Sequence, residues 1–198
     1  LLVVSNPADI ITKAVQETSG LPANRVIGTG TSLDTARFRY NISTKLHVNV
    51  EDIQAYVVGE HGDSQVAVWS SAMVGGFPLE DYAKQVGVTL DKKEIAEHTK
   101  NGGAEVIGLK GATFYGIAMS VSNIVEAIMK DDSAILPAAC VLDESFGEWA
   151  GVAVSLPCRI GWEGIETCLR IPMNEEEQAA MNKSVAILKD FWAQVKEQ

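Results

Sequence analysis

The first 19 residues restrict the possible folds of this chain more than any other segment, because an apolar strand runs directly into a helix. LLVVSNPAD, at residues 1–9, is typical of a strand buried on both faces of a parallel sheet. Asn6 can cap the helix that follows, with Pro7 at its first position, and Gly20 can end it. Because such a unit normally lies inside an α/β sheet and position 1 is Leu rather than Met, we expect residues 1–19 to be a remnant of a preceding domain.

Residues 20–198 predict a single α+β domain in which antiparallel sheets pack against long helices. Helices are predicted over about 32–46, from Asp91 onward, over about 113–130 and from Asn174 to the end of the chain. Strands are predicted at 54–58, at 66–74, and in an antiparallel meander near 134–142, 150–156 and 165–171. The glycine-rich residues 101–113, NGGAEVIGLKGAT, are expected to interrupt the helical stretch that begins at Asp91.

Two of these helices also carry predictions of their apolar faces. In the terminal helix, Asn174 and Glu177 form a capping-box pattern, and the apolar positions that follow step by four and three. In the helix over 32–46, a stripe of three residues is predicted to be the apolar one. The positions concerned are Met181, Val185, Leu188, Trp192 and Val195 in the terminal helix, and Leu33, Ala36 and Tyr40 in the other.

The composition is that of a globular chain and argues against several classes of partner. The 198 residues are 46% hydrophobic and 21% charged, which is enough for one domain with a sizeable core. A net charge of −10, from 16 basic and 26 acidic residues, works against binding to nucleic acid phosphates or to an anionic membrane surface. No apolar run reaches the roughly 18 residues of a membrane span, and no targeting segment is visible.

The three cysteines, Cys140, Cys158 and Cys168, form neither a CxxC pair nor a cluster with histidine at ligand spacing. Neither a disulfide framework nor a metal site is therefore predicted. Free thiols in an acidic globular chain are typical of a reducing compartment, so a cytoplasmic location is expected.

The segment GEHGDS, residues 59–64, places a histidine among two acids and two glycines directly after the apolar run AYVV. A lone loop histidine is most often a structural residue with satisfied hydrogen bonds. Imidazole is nonetheless the side chain best suited to exchange a proton near neutral pH, and a buried carboxylate would fix its tautomer and stabilise its charged form. His61 is therefore a candidate acid or base, and Asp34 is its candidate partner, although spacing alone leaves their contact open.

Asp34 and Arg37 are three residues apart on a predicted helix and so share a face. Such a pair is usually a solvated ion pair that contributes about 0 to 1 kcal/mol. The functional alternative is that Arg37 binds a substrate carboxylate through its planar guanidinium, a geometry that lysine cannot match. Asn6 is likewise more often only a helix cap, although the strand-to-helix junction is where open α/β sheets place ligands.

Two glycine-rich segments do not satisfy the requirements of phosphate-binding loops. GTG at 28–30 lacks the third glycine of a dinucleotide fingerprint, and 103–108 is followed by Leu109 where a phosphate loop needs lysine. His47 and His98 have no comparable context and are predicted to be surface residues.

Four segments together resemble the carboxyl-terminal part of bacterial L-lactate dehydrogenases, within the lactate/malate dehydrogenase family. They are VVSNPADI, RVIGTGTSLDTARFRY, VVGEHGDSQVAVWS and LKGATFYGIAMSV, in that order and spacing. The likeness covers essentially the whole chain, and LDTAR followed by GEHGDS is specific. It implies the C-terminal domain fold of that family, preceded by the last strand and connecting helix of a Rossmann domain, and an NAD-dependent oxidoreductase that interconverts L-lactate and pyruvate.

The resemblance also implies roles for individual residues. His61 would give a proton to the keto oxygen of pyruvate while hydride arrives from NADH, and would take it back in the reverse direction. Asp34 would orient His61 and stabilise its charge, and Arg37 would hold the substrate carboxylate as a two-pronged ion pair. The remaining implied contacts are Asn6 with the reacting oxygen and the cofactor, Thr113 with the substrate, and Ile117 with the nicotinamide.

The chain departs from the family pattern in two places. The cofactor domain and its mobile specificity loop are not found in these residues, so the fragment alone is expected to be inactive. Members activated by fructose 1,6-bisphosphate place an arginine where Arg39 stands and a histidine where Gln54 stands. Because only the arginine is kept, allosteric regulation is expected to be weak or absent.

Three readings of function follow from the resemblance. The favoured one is the substrate-binding and catalytic part of a homotetrameric L-lactate dehydrogenase of cytoplasmic, fermentative glycolysis, acting on a small 2-oxo or 2-hydroxy acid. Malate dehydrogenase shares the proton-relay chemistry and differs mainly through the specificity loop. A third reading is a non-catalytic domain whose activity is self-association.

Overall fold

The computed structural model describes residues 1–196. The strands in this range are β1 (Leu2–Val3), β2 (Ile27–Gly28), β3 (Ile53–Val58), β4 (Val66–Val74), β5 (Phe77–Pro78), β6 (Ala134–Val141), β7 (Ala153–Gly161) and β8 (Gly164–Cys168). The helices are α1 (Ala8–Ser19), α2 (Ser32–Leu46), α3 (Leu79–Gln85), α4 (Lys92–Lys110), α5 (Tyr115–Lys130) and α6 (Glu175–Lys196). Long helices packed on antiparallel sheets confirm the predicted fold class.

The larger sheet has five strands in the order β1-β2-β6-β7-β8. Its last three strands form the predicted antiparallel meander, with Ala138 opposite Leu156 and Cys158 opposite Cys168. The first strand pairs in parallel with β2 of the same chain, and α1 packs on β6 and β7. The assignment of residues 1–19 to a separate domain remains a prediction.

The smaller sheet, β3-β4-β5, is antiparallel and is linked to the larger one by a backbone bridge at the end of β3. Gly59 and Ser155 exchange two backbone hydrogen bonds of 3.0 Å, so the end of β3 is tied to β7. Gly59 has a φ of +89°, and a Cβ at this position would lie 2.7 Å from Ser184 Oγ of α6. Glycine is required there for both its backbone conformation and its size. The loop that carries His61 therefore begins where the two sheets and α6 meet.

Two clusters of buried side chains form the core. The first lies between the larger sheet, α5 and α6 and includes Ile124, Leu156 and Met181. The second lies between α2, the smaller sheet and α4 and includes Phe38 and Ile95. Phe38 is fully buried, so its truncation to alanine is expected to cost about 3–5 kcal/mol. This second cluster fixes the orientation of α2.

The face that α2 buries differs from the predicted stripe. Ala36 and Tyr40 are exposed, whereas Phe38 and Ile42 pack into the core. The buried stripe begins with Thr35, whose hydroxyl accepts a 3.0 Å hydrogen bond from the Val57 N–H. Because threonine is polar, the hydrophobic pattern of the sequence did not indicate this stripe. Burial of a threonine is tolerated because the strand satisfies its hydrogen bonds.

The terminal helix agrees better with its sequence. Asn174 Oδ1 accepts from the Glu177 N–H at 2.9 Å and Glu177 Oε2 accepts from the Asn174 N–H at 3.1 Å, which confirms the capping box. Met181, Val185 and Leu188 are buried as predicted, Trp192 is half-buried, and the prediction is wrong for Val195, which is exposed because the last turn extends beyond the core. Within residues 1–196, none of the helices combines the length and apolar character needed to cross a membrane.

Candidate active site

Hydrogen bonds hold the 59–64 loop from two sides. The Glu60 N–H donates to Ser184 Oγ of α6 at 2.8 Å, and the His61 N–H donates to Asp9 Oδ2 of α1 at 2.7 Å. The loop is therefore positioned by two helices that lie more than 100 residues apart in sequence. His61 occupies a defined place despite the glycines around it.

The imidazole of His61 contacts Asp34 of α2. His61 Nδ1 lies 2.6 Å from Asp34 Oδ2, and the Asp34 side chain is only 3% exposed. The pKa of His61 is raised, chiefly by the hydrogen bond with Asp34; burial lowers it, and the charges of Asp34 and Asp9 raise it further. This stabilisation of the imidazolium is complete below the ordinary pKa of 6.5 and is lost as pH rises through the raised value. Because Nδ1 is engaged, Nε2 is the ring nitrogen that can serve a ligand.

Arg37 lies one turn after Asp34 on the same face of α2. Its Nη1 is 3.4 Å from Asp34 Oδ1, and its side chain is 19% exposed. This is a single long contact, so most of the guanidinium fork is not used by Asp34. Arg37 is thus held in place by a carboxylate that also binds His61.

The helix α4 passes alongside Arg37. A Cβ at Gly102 would lie 3.0 Å from Arg37 Cδ, and one at Gly103 would lie 3.6 Å from Arg37 Nη1. The prediction that these glycines interrupt the helix is wrong, because α4 continues to Lys110. Each glycine lowers helix stability by roughly 1 kcal/mol relative to alanine, but together they let the backbone approach the Arg37 side chain.

One cleft of about 560 Å³ contains the side chains that the sequence singled out as candidate catalytic, substrate and cofactor residues. Arg39, the candidate allosteric residue, is not part of its lining. The six that share the cleft are Asn6, Asp34, Arg37, His61, Thr113 and Ile117.

Asn6 does not cap α1, contrary to prediction. The cap position belongs to Pro7, and no side chain caps the helix there. Asn6 is exposed and borders the cleft together with Val4. Thr113, just before α5, and Ile117, in its first turn, are half-buried. The cleft is therefore lined by the start of the chain, by α2, by the His61 loop and by the α4–α5 region.

Arg39 points to β3 rather than to the cleft. Its Nε donates to the Ala55 carbonyl at 2.8 Å, and its guanidinium carbon lies 4.8 Å from the centre of the Tyr56 ring. Gln54, on the same strand, is exposed. His47 and His98 are exposed as predicted.

Asp9 is a site residue that the sequence did not reveal. It is 3% exposed, it accepts the His61 N–H, and its Oδ1 has no hydrogen-bond partner within residues 1–196. Burial raises the pKa of Asp9 to about 7, against the opposing effects of the His61 hydrogen bond and charge. An acid in the first turn of a helix is ordinary in sequence. No local signal shows that a loop some 50 residues later donates to it.

The arrangement combines a histidine paired with a buried carboxylate, an arginine three residues after that carboxylate, and an uncharged amide. All of these side chains line one cleft. Such a set can transfer a proton to or from a carbonyl or hydroxyl oxygen while an arginine holds a carboxylate. Among residues 1–196, no three side chains of His, Cys, Asp or Glu are arranged to hold a metal ion.

Comparison with known proteins agrees with this geometry. Residues 31–198 match the family described as lactate/malate dehydrogenase, alpha/beta C-terminal domain. The L-lactate dehydrogenase of Acetivibrio thermocellus is 42% identical over 194 residues, which are 96% of this chain and 61% of that enzyme. The L-lactate dehydrogenase 2 of Lactococcus lactis subsp. lactis is 39% identical over 198 residues, or 98% of this chain and 62% of that enzyme.

A solved structure shows the same partial match to a longer L-lactate dehydrogenase chain. The minor L-lactate dehydrogenase from Enterococcus mundtii, in a ligand-bound form, superposes with a TM-score of 0.92 at 39% identity and covers 98% of this chain and 62% of that one. The chain thus spans about three fifths of the length of the relatives that it matches. It belongs to the lactate/malate dehydrogenase family and carries the α/β C-terminal domain of that family over residues 31–198.

Proposed function

We propose that this chain is the catalytic and substrate-binding part of an NAD-dependent L-lactate dehydrogenase. The observation that carries the proposal is the 2.6 Å contact between His61 and the buried Asp34, in the same cleft as Arg37. Relatives named L-lactate dehydrogenase, at about 40% identity, support lactate and pyruvate as the substrate pair.

His61 acts as the acid in pyruvate reduction and as the base in lactate oxidation. Because Asp34 binds Nδ1, the proton is exchanged at Nε2. The raised pKa of His61 favours the imidazolium that must donate this proton near neutral pH. Asp34 keeps the ring in one tautomer and orientation.

Arg37 binds the substrate carboxylate and so sets the distance between the keto carbon and His61. A bidentate arginine–carboxylate pair fixes the orientation of the substrate as well as its position. Positioning of this kind can remove a large part of the activation barrier. Asn6 lines the same cleft, and its side-chain amide is assigned the hydrogen bond to the reacting oxygen. Thr113 completes the wall of the substrate pocket.

The cleft also has side chains that suit a nicotinamide ring. Ile117 and Val4 offer apolar contacts at its border, and Asn6 offers a polar one. When bound, NAD(H) supplies or accepts the hydride at the substrate carbon. The adenosine half would need contacts outside this cleft, and no cofactor residues beyond Asn6 and Ile117 are proposed.

Malate dehydrogenase is the alternative within the family, because a histidine, an aspartate and an arginine serve either substrate. Self-association is proposed as well, as a homotetramer. Several large apolar side chains of the α4–α5 region are exposed, which favours contact with another chain or domain. The most exposed of them are Leu109, Phe114, Tyr115, Met119 and Met129.

The proposal is tested by His61→Gln in the protein that carries this chain together with a dinucleotide-binding domain. The glutamine keeps a polar side chain but cannot exchange a proton, so pyruvate turnover should fall by at least about 100-fold. NADH binding, measured by fluorescence titration, should be unchanged. His98→Gln, at an exposed histidine, is the matched control and should turn over normally. Near-normal turnover of His61→Gln would remove this residue from the mechanism.

A further inference from the structure

The side chains of the three cysteines contact one another in the larger sheet, although their spacing in the sequence matches no known cysteine motif. They stand on adjacent strands: Cys140 on β6, Cys158 on β7 and Cys168 on β8. Cys140 Sγ lies 3.1 Å from Cys168 Sγ, and Cys158 Sγ lies 3.6 Å from Cys168 Sγ. All three are free thiols. Cys168 is therefore in contact with two possible bonding partners.

The three thiols differ in access. A cavity of about 450 Å³ is lined by Cys140 and Cys168, and its lining also includes the charged residues Asp143 and Arg170. Cys158 is fully buried and does not line it, whereas Cys168 is partly exposed. This cavity shares no lining residue with the cleft that holds His61. A small solute in it meets Cys168 and Cys140 and not Cys158.

The cluster also favours a thiolate at the most accessible sulfur. Hydrogen bonds from Cys140 and then Cys158 lower the pKa of Cys168, against burial and the charge of Asp143, which raise it. The pKa of Cys158 is raised by its hydrogen bonds to the other two sulfurs and by burial. The thiolate is the nucleophilic form of cysteine, so Cys168 is the reactive member of the three.

We propose that Cys168 and Cys140 form an oxidisable pair that a hydroperoxide converts to an intrachain disulfide. The pair satisfies three requirements for such a site: direct contact of the two sulfurs, access from a cavity, and an arrangement in which one sulfur is stabilised as the anion. Cys158 supports the pair as a hydrogen-bond donor and does not take part in the bond.

The chemistry takes place in two steps. The Cys168 thiolate attacks one oxygen of hydrogen peroxide, the O–O bond breaks, and the hydroxide that leaves takes up a proton, which gives a sulfenic acid and water. The Cys140 sulfur then attacks the Cys168 sulfur, the S–O bond breaks, and the hydroxide that leaves takes the Cys140 proton as a second water. Overall, two thiols lose two electrons and two protons, and one peroxide is reduced to two waters.

The test uses the purified chain, reduced and then exposed to hydrogen peroxide, alkylated and digested for peptide mass mapping. We expect a mass lowered by two hydrogen atoms, a cross-linked peptide pair that contains Cys140 and Cys168, an alkylated Cys158, and full reversal by dithiothreitol. A bridge that includes Cys158, or three thiols that all remain alkylatable, would overturn the proposal. This outcome is read on the wild-type chain, so it does not depend on the folding of any variant.

Variants assign the two roles. Cys158→Ser should still form the Cys140–Cys168 bridge. Cys168→Ser should slow the loss of free thiols by at least about tenfold, because the two remaining thiols are buried and a hydroperoxide reaches them poorly. Cys140→Ser should leave a sulfenic acid on Cys168 that dimedone labels. Equal rates of thiol loss in wild type and Cys168→Ser, with both chains folded by circular dichroism, would also contradict the proposal.

Discussion

At the scale of single residues, the candidate site depends on one carboxylate that serves two cations. Asp34 uses Oδ2 for His61 and Oδ1 for Arg37, at 2.6 and 3.4 Å. Its side chain is 3% exposed, and a buried carboxylate is tolerated only with such partners. The positions of the His61 imidazole and of the Arg37 guanidinium are therefore set by the same side chain.

Arg37→Lys is expected to weaken binding of pyruvate, or of its analogue oxamate, by at least about tenfold with little effect on NADH. An ammonium group replaces two parallel hydrogen bonds with one point contact. Oxamate affinity in the presence of NADH, measured by fluorescence titration, gives the result. Arg159→Lys is the control, because Arg159 is an exposed residue of β7 whose Nε lies 2.8 Å from Glu166 Oε2, away from the cleft. A loss below about 0.5 kcal/mol for Arg37→Lys would mean that it is an ordinary surface ion pair.

Asp9→Asn is expected to stabilise the protein at pH 8 more than at pH 5. The pKa of Asp9 is about 7 in the folded chain against an ordinary 3.8, so the folded state holds a proton that the unfolded chain has released. Its contribution to stability is complete below pH 3.8 and is lost as pH rises through about 7. Asparagine cannot ionise, so this loss disappears in the variant.

Thermal unfolding midpoints at several pH values measure this effect, since a change of 1 kcal/mol corresponds to about 2–4 °C for a chain of this size. Asp190→Asn, at an exposed position of α6, should show no such trend. If the difference between Asp9→Asn and wild type did not change with pH, Asp9 would be ionised throughout, and burial would not have raised its pKa.

At the scale of elements, α2 positions two residues of the candidate site because one side of the helix packs into the core and the other faces the cleft. One side turns Phe38 and Ile42 into the core, which holds the helix against β3 and α4. The other side presents Asp34 and Arg37 to the cleft. The glycines of α4 then let that helix pass close to Arg37. A rigid, core-packed helix is suited to hold catalytic groups to within a fraction of an ångström.

We expect the active protein to show little or no dependence on fructose 1,6-bisphosphate. Arg39 on α2 already gives its Nε to the Ala55 carbonyl, and the neighbouring Gln54 on β3 is neutral. A bisphosphate bound between subunits needs more positive charge than this. The pyruvate concentration at half-maximal rate, with and without the effector, is the measurement. A large decrease on adding the effector would show the prediction to be wrong, and Gln54→His provides a comparison with one more cationic side chain.

At the scale of the whole molecule, the candidate site lies where separate parts of the chain meet. The larger sheet supplies the junction at Ser155, α1 and α6 hold the His61 loop, and α2 supplies its partner. Residues that face one cleft thus come from the segment just after β1 through to α5. The cleft remains open beside exposed apolar side chains of α4 and α5, a surface suited to contact with another domain or chain.

The purified chain of 198 residues is expected to fold and associate but not to oxidise NADH with pyruvate. Positioning of two reactants can supply roughly 7–11 kcal/mol of a barrier, and these residues contain no dinucleotide fingerprint to hold the cofactor. Light scattering coupled to size exclusion, circular dichroism and an NADH absorbance assay measure the three properties. The protein joined to a dinucleotide-binding domain serves as the positive control. Steady lactate production by the chain alone would refute this division of labour.

The sequence by itself determined the elements whose signals are local. The capping box of Asn174 and Glu177, the α6 face from Met181 to Leu188, the two strands around the His61 loop and the meander agree with the structure. Each depends on hydrophobic period or on contacts within a few residues, which a sequence displays directly. The motifs around Asp34 and His61 also identified the family.

Only the tertiary structure decided which distant groups meet. The Asp9 support of the loop and the contact of Cys140 with Cys168 join residues that are 52 and 28 positions apart. The Asp34–His61 pair, 27 positions apart, was implied by the family resemblance and not by its spacing, and the structure supplies its 2.6 Å contact. Tertiary packing also overrode local preference, since α4 runs through Gly102 and α2 buries a stripe that begins with threonine. The physical reason is that burial and hydrogen bonding depend on contacts between elements. The free energy gained from these contacts is larger than the conformational preference of a single residue, which is at most about 1 kcal/mol for residues other than proline.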